Sequence, residues 1–319
     1  MPTCDADHSG LSAAGAIVRI ERWAMGSVET INEIKLNNLL YLTDFSEPAE
    51  AALPFLTAIA HEYGSRIYAC HILLPSVYAC MAPEFGDVVS AGLEQGAEAE
   101  MQTVESQLTG LPHETLIERG SEVRATLRRI VEENNIDLVV LGTHGRRGVQ
   151  KFLLGSVAEE IWRSASVPVL IIGPGVRRDQ SGEGFHCVLF ATDFTAESLA
   201  GLQFAVSLTR ESRAHLVLLH VIRQFKKEEI LGDLSASDAI YHLGQLVPTD
   251  AGLFHRPELE VKYGASAQNI IDTASRCSAD LIVLGVRKGD VFGVATHVER
   301  TIAHEVVVNA PCPVLTVCG

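Results

Sequence analysis

The chain repeats itself, and the repeat constrains its fold more than any other feature. LLYLTDFSEPAEAAL at 39–53 returns as VLFATDFTAESLAGL at 188–202, and RIYACHIL at 66–73 returns as HLVLLHVI at 215–222, both displaced by 149 residues. IDLVVLG at 136–142 returns as ADLIVLG at 279–285, displaced by 143, and VPVLII at 167–172 returns as CPVLTV at 312–317, displaced by 145. Four matches in the same order mean two copies of one domain; a solenoid would repeat every ~20–50 residues. A total of 319 residues fits two domains of about 150 each. Gly173-Pro174-Gly175 closes the first copy, and the polar, glycine-containing stretch after it reads as a linker. The expected division is an N-terminal extension over 1–35, a first domain over 36–175, a linker over 176–184 and a second domain over 185–319.

Inside each copy, apolar runs of strand length alternate with segments of helical period. In the first copy the strands are expected at about 38–43, 66–73, 114–119, 137–142 and 167–172. Helices are expected near 47–63, 92–108, 122–134 and 157–165. LVVLG and PVLII are apolar throughout rather than alternating, which suits strands buried on both faces of a parallel sheet. Right-handed crossovers then give an α/β, doubly wound, Rossmann-like domain of five parallel strands with helices on both faces.

Composition excludes several function classes. Asp and Glu number 40 against 25 Lys and Arg, a formal charge of −15, which opposes binding along a nucleic-acid backbone. Nothing approaches the ~20 apolar residues of a membrane-spanning helix, and the first residues lack the basic start of a secretory signal, so a cytoplasmic protein is expected. The seven cysteines form no C-x-x-C pair, and the apolar neighbours of Cys70, Cys187 and Cys312 suggest small core residues in a reducing compartment. No metal ligand set with zinc spacing is present.

In a doubly wound sheet, ligands bind beyond the carboxyl ends of the strands, where the strand order reverses. Three loops of the first copy emerge there: Thr43-Asp44-Phe45-Ser46, Gly120-Ser121, and the glycine-rich segment from Gly142 to Gly155-Ser156. Ser156 opens S-x-x-E with Glu159, a capping box that marks a helix start. Free N–H groups and the helix dipole make such a start suited to phosphate. The same residues also admit a purely architectural reading, with the glycines serving a turn, Ser156 a cap and Asp44 the turn into the first helix. His144 also reads as a plain loop residue, and Arg146 and Arg147 as solvated charges. Neither a P-loop nor G-x-G-x-x-G after the first strand appears, and there is no kinase set and no G-x-S-x-G elbow.

Gly142-x2-Gly145-x9-Gly155-Ser156 resembles the G-x2-G-x9-G-[ST] signature of the ATP-binding branch of the universal stress protein family. T-D-F-S after the first strand and V-P-V-L near the end of the copy are similar to that family as well, and the two copies resemble its tandem members. The resemblance spans about 36–319. It implies an adenine nucleotide α-hydrolase-like fold whose copies pair through their last strands into an intramolecular pseudo-dimer. An apolar edge left unpaired would be a liability, which gives that pairing a physical reason. It also implies a nucleotide site in the first domain. Asp44, with the backbone of Leu42 and Thr43, and Ile72 would lie by adenine and ribose. Gly120 would lie near the adenine and Leu141 would close over it. Gly142, His144 and Gly145 would wrap ribose and phosphates, and Gly155, Ser156 and Val157 would donate to phosphates. ATP is the implied ligand, with AMP and ADP as alternatives, and Mg2+ or Mn2+ would be held through the phosphates, with no metal site of the protein's own.

The second copy keeps Asp193, Gly264, Gly285 and Thr301 at the corresponding places, but Arg300 stands opposite Gly155 and His304 opposite Glu159. A degenerate second site is therefore expected. The implied function is an ATP-binding stress-response regulator or partner-binding module with an unknown protein partner. The alternatives are a nucleotide-independent dimerisation scaffold and a slow ATP hydrolase. No general base or arginine finger is assignable, so no catalytic residue is named and any ATPase activity is expected to be weak. Pairing of tandem chains into a homodimer stays open.

Overall fold

The computed structural model describes residues 33–74, 86–120, 122–143, 156–176, 184–223, 235–287 and 301–319. The first copy forms β1 (Asn38–Leu42), α1 (Glu47–Glu50), α2 (Leu53–Tyr63), β2 (Arg66–Leu73), α3 (Gly86–Gln107), β3 (His113–Arg119), α4 (Val123–Glu133), β4 (Leu138–Gly142), α5 (Ser156–Ser164) and β5 (Val169–Ile172). The second forms β6 (Cys187–Ala191), α6 (Ala196–Leu199), α7 (Leu202–Glu211), β7 (His215–Ile222), α8 (Ala236–Leu246), β8 (Glu258–Tyr263), α9 (Ser266–Arg276), β9 (Leu281–Val286), α10 (Ile302–Asn309) and β10 (Val314–Cys318).

All ten strands join one sheet in the order β3-β2-β1-β4-β5-β10-β9-β6-β7-β8. Pairing is parallel within each copy. At the centre β5 and β10 run antiparallel, with Ile171 opposite Val314, Leu170 opposite Leu315 and Val169 opposite Thr316. Each last strand would otherwise present an apolar edge, and each closes the other's. The expected pseudo-dimer is thus one continuous sheet. Trp162 of α5 reaches across the seam, its Nε1–H donating to Thr316 Oγ1 at 3.0 Å.

Burial follows position in the sheet. The apolar strands β4, β5, β6 and β9 are buried almost throughout. The outermost strands, HETLIER in β3 and ELEVKY in β8, carry charges that discourage a further strand. Two apolar layers, one on each face, draw residues from both copies. Among the described residues no helix is long and apolar enough to cross a membrane.

The helix expected over 47–63 is two helices, α1 and α2. Pro54 at the start of α2 has no N–H, and its ring would crowd the carbonyl four residues back. The second copy breaks between α6 and α7 without a proline. There a Cβ on Gly201 would come within 3.2 Å of Val283 and 3.3 Å of Phe190. Residues 33–35, expected to lie in the extension, adjoin the core together with Leu36, the first residue expected in the domain. Ile34 and Leu36 are buried, the Ile34 N–H donates to Ser207 Oγ at 3.5 Å, and Glu33 pairs with Arg210 at 3.7 Å.

Asp137 Oδ2 accepts the backbone N–H groups of Asn37 at 2.7 Å and Asn38 at 3.0 Å, clamping the start of β1. Asp280 Oδ2 does the same for His186 at 2.7 Å and Cys187 at 3.0 Å at the start of β6. The aspartates of the two matched I/A-D-L segments are therefore strand clamps. A carboxylate accepting two N–H groups uses the stronger, charge-assisted kind of hydrogen bond.

Candidate functional site

In the first copy the chain runs outward from β1 through β2 to β3, then returns to β4 on the other side of β1. The carboxyl ends of β1 and β4 are therefore adjacent while their connections lead to strands on opposite sides, the kind of switch point beyond which doubly wound sheets bind ligands. β1 ends in Leu42 and leads into Thr43 and Asp44; β4 ends in Leu141-Gly142 and leads into Thr143.

A short cascade builds the loop after β1. The Thr43 N–H donates to the Cys70 carbonyl at 3.0 Å, which ties the loop to β2. Thr43 Oγ1 accepts the Phe45 N–H at 2.9 Å, Asp44 Oδ1 accepts the Ser46 N–H at 3.1 Å, and Ser46 Oγ accepts the Ala49 N–H at 3.4 Å. Ser46 is thus the N-cap of α1. Asp44 does serve the turn, using one oxygen of a group that can accept several hydrogen bonds. Phe45 takes φ +60°, a left-handed conformation costly for a side chain of its size.

Beneath this loop lies a residue pair that the motif reading missed. His71 Nδ1 is 2.8 Å from the Thr43 carbonyl oxygen, and the ring stacks on Phe45 with centroids 4.5 Å apart. A carbonyl only accepts, so Nδ1 carries the proton and, in the neutral ring, Nε2 is the acceptor. The second copy repeats the arrangement. His220 Nδ1 lies 2.8 Å from the Thr192 carbonyl, Phe194 has φ +63°, and the rings are 4.6 Å apart. Burial pushes the His220 pKa down, against the opposing influence of Thr192 and Asp193. A signal for the pair was present: Phe45/Phe194 and His71/His220 share the displacement of 149.

Ile72 lies within β2; a Cβ added at Gly120 would come 3.6 Å from Ile72 Cγ2 and 2.3 Å from Thr126 Oγ1. Gly142 has an architectural cause for its missing side chain. A Cβ there would stand 2.4 Å from the Pro48 carbonyl oxygen and 2.8 Å from the Ala49 nitrogen. Gly285 repeats this, at 2.2 Å from the Glu197 oxygen. Leu141 is 2% exposed and belongs to an apolar core. Val157 is exposed in the first turn of α5, whose first residue is Ser156. His144, Gly145, Gly155 and the Ser156 side chain lie outside the described residues, as do Arg300 and His144's neighbours Arg146 and Arg147.

In the second copy, Asp193 Oδ1 accepts from the Thr195 N–H at 3.1 Å and the Thr195 hydroxyl at 2.6 Å. Local packing raises the Asp193 pKa, but the hydrogen bonds from Thr195 and Ser198 and the nearby Arg287 outweigh it, so the net shift is downward. Arg287 Nε lies 3.7 Å from Glu197. Gly264 adopts φ +116°, which requires glycine. Thr301 caps α10 by accepting the His304 N–H at 3.2 Å. Among the described residues no group of three His, Cys, Asp or Glu side chains is placed to hold a metal ion.

The model of the Universal stress protein family matches residues 35–173 and again residues 184–317. The chain belongs to the universal stress protein family. A universal stress protein of Methanocaldococcus jannaschii is 23% identical over 166 residues, covering 44% of this chain and 96% of its own, so it has the length of one copy. One from Thermus aquaticus is 29% identical over 135 residues, covering 42% of this chain and 96% of its own. The crystal structure of a universal stress protein from Archaeoglobus fulgidus spans both copies. It covers 89% of this chain and 99% of its own, with a TM-score of 0.68 at 20% identity, a likeness of fold.

Proposed function

We propose that the protein binds an adenine nucleotide, ATP, in its first copy and acts as a nucleotide-dependent regulator or partner-binding module. The observation that carries this reading is the meeting of Thr43, Asp44, Gly142 and Thr143 at the one place in the first copy where strand connections diverge. Asp44 would accept ribose hydroxyls. Ile72 and Gly120, at the carboxyl ends of neighbouring strands, would flank the base. Gly155, Ser156 and Val157 at the start of α5 would offer N–H groups to phosphates, which would themselves carry Mg2+ or Mn2+. The reading assigns no catalytic residue.

The second copy is proposed to bind more weakly. Arg287, the side chain placed to replace lost phosphate donors, already lies 3.7 Å from Glu197. A scaffold that binds no nucleotide is favoured by one observation, the close seating of α1 on Gly142, which accounts for that glycine without a ligand. Calorimetric titration of nucleotide-free full-length protein with MgATP separates the two readings. A saturable site lost in Gly155→Val supports nucleotide binding, and no heat supports the scaffold.

A further inference from the structure

The register of β1 with β2 ends at Leu42 opposite Cys70, two residues before Asp44. Thr43, next in the chain, is buried, so both of its backbone groups need partners. Its N–H reaches the Cys70 carbonyl at 3.0 Å, as a ladder bond would. Its carbonyl instead accepts the Nδ1–H of the His71 side chain at 2.8 Å. The second copy repeats each part. The register of β6 with β7 ends at Ala191 opposite Leu219, the Thr192 N–H donates to the Leu219 carbonyl at 2.9 Å, and the Thr192 carbonyl lies 2.8 Å from His220 Nδ1. In both copies an aspartate follows the threonine, and a phenylalanine with positive φ follows the aspartate.

The peptide unit is planar, so fixing the direction of the Thr43 carbonyl fixes the line along which the chain enters Asp44. On the far side of Asp44, Phe45 holds φ +60° with its ring stacked on the same imidazole, centroids 4.5 Å apart. Such a conformation persists only where the surroundings over-determine it. One side chain therefore holds both neighbours of Asp44. Asp44 itself uses Oδ1 for the Ser46 N–H at 3.1 Å, a bond within its own turn. Groups that recognise a ligand must be held within about 0.5 Å of their productive geometry, so whatever fixes this loop also fixes what its carboxylate can select.

We propose that His71 is the positioning residue of Asp44: by donating to the Thr43 carbonyl it sets the Asp44 carboxylate to accept ribose hydroxyls, and so makes the site select a ribonucleotide over one that lacks them. The inference rests on the reading of Asp44 as the ribose acceptor. His71 touches no ligand in this role and acts only through the backbone on either side of Asp44. The Nδ1–H is the decisive part, because a buried carbonyl without its donor turns toward another partner and takes the Asp44 backbone with it. The stack on Phe45 orients the imidazole that carries this donor.

Two variants separate the donor from the packing. His71→Asn carries an amide N–H where the imidazole Nδ1–H stands and loses the ring; His71→Phe keeps a ring against Phe45 and loses the donor. The measurement is calorimetric titration of nucleotide-free, full-length protein with MgATP and with the magnesium complex of 2′,3′-dideoxy-ATP. The parent should prefer ATP by roughly tenfold or more, the worth of a hydrogen bond to a charged group. His71→Phe should bring the two affinities within about threefold by weakening ATP alone, and its unchanged affinity for the dideoxy nucleotide reports an intact site. His71→Asn should keep the parent's preference, whereas a side chain needed only for packing would make it the worse of the two. The role of His71 is overturned if His71→Phe keeps the preference or if His71→Asn loses it. A parent that binds neither nucleotide, or both equally, overturns the assignment of Asp44 to ribose, and this inference with it.

Discussion

Two glycines at the carboxyl ends of β4 and β9 offer a stringent test of how the first helix of each copy is seated. In Gly142→Ala, the new Cβ would lie 2.4 Å from the Pro48 oxygen, 2.6 Å from the Pro48 carbonyl carbon and 2.8 Å from the Ala49 nitrogen. All three are backbone atoms, so no side-chain rotation relieves the overlap. The start of α1 must retreat by about 0.6 Å to restore a 3.0 Å contact. Overpacking of this kind costs typically 1–3 kcal/mol, and a backbone wall puts the expectation near the top, about 3 kcal/mol. That corresponds to a fall in Tm of roughly 6–12 °C. Gly285→Ala meets the Glu197 oxygen at 2.2 Å and the Ser198 oxygen at 2.4 Å and should cost at least as much. Gly96 is the control. It lies inside α3, where a Cβ meets nothing within 4 Å, so Gly96→Ala should raise stability by roughly 0.5–1 kcal/mol. Thermal unfolding followed by circular dichroism reads all three. A Gly142→Ala protein as stable as the parent would refute the seating of α1 on β4.

Trp162→Phe removes the hydrogen bond to Thr316 across the central seam and should cost roughly 1–3 kcal/mol in urea unfolding; no change would mean that the seam does not depend on it. Asp137→Ala leaves the Asn37 and Asn38 N–H groups without their shared acceptor and should cost about 2 kcal/mol or more, read as a lower urea midpoint with an unchanged slope. Burial holds the His220 pKa below its ordinary value, so the folded state favours the neutral ring. Its contribution is present above about pH 6.5 and is lost as the pH falls through the lowered folded value. His220→Asn should therefore flatten the decline of the urea midpoint between about pH 7 and 5; an unchanged slope would mean that another group governs it.

The sheet was legible because buried parallel strands need continuous apolar runs, and LVVLG, PVLII and their second-copy counterparts leave little choice of partner or face. The central pairing was legible for a related reason, since an apolar last strand needs a cover. The division of the first helix was harder to read. Pro54 signals a break in one copy, but in the other no proline marks it; Gly201 stands there, where a Cβ would crowd Val283 and Phe190. Asp137 and Asp280 stood in plain view inside matched segments, but their role appears only once the starts of β1 and β6 lie beside them. At the candidate site, Asp44 and Ser46 were readable because capping and turn chemistry are local. The His71–Phe45 stack joins neighbouring strands, so its only trace in the sequence was the shared displacement in both copies. Gly142 read as room for a ligand, whereas the backbone of α1 occupies the space beside it.

The measurement closest to the central claim is the stoichiometry of ATP binding to the nucleotide-free chain, by calorimetry in the presence of Mg2+. One ATP per chain is predicted. Gly155→Val, which places a side chain in the segment proposed to donate to phosphates, should weaken binding at least tenfold, or about 1.4 kcal/mol. Thr301→Val, which alters the corresponding cap in the second copy, should leave affinity unchanged. Absence of binding, or two sites of equal affinity, would contradict the account.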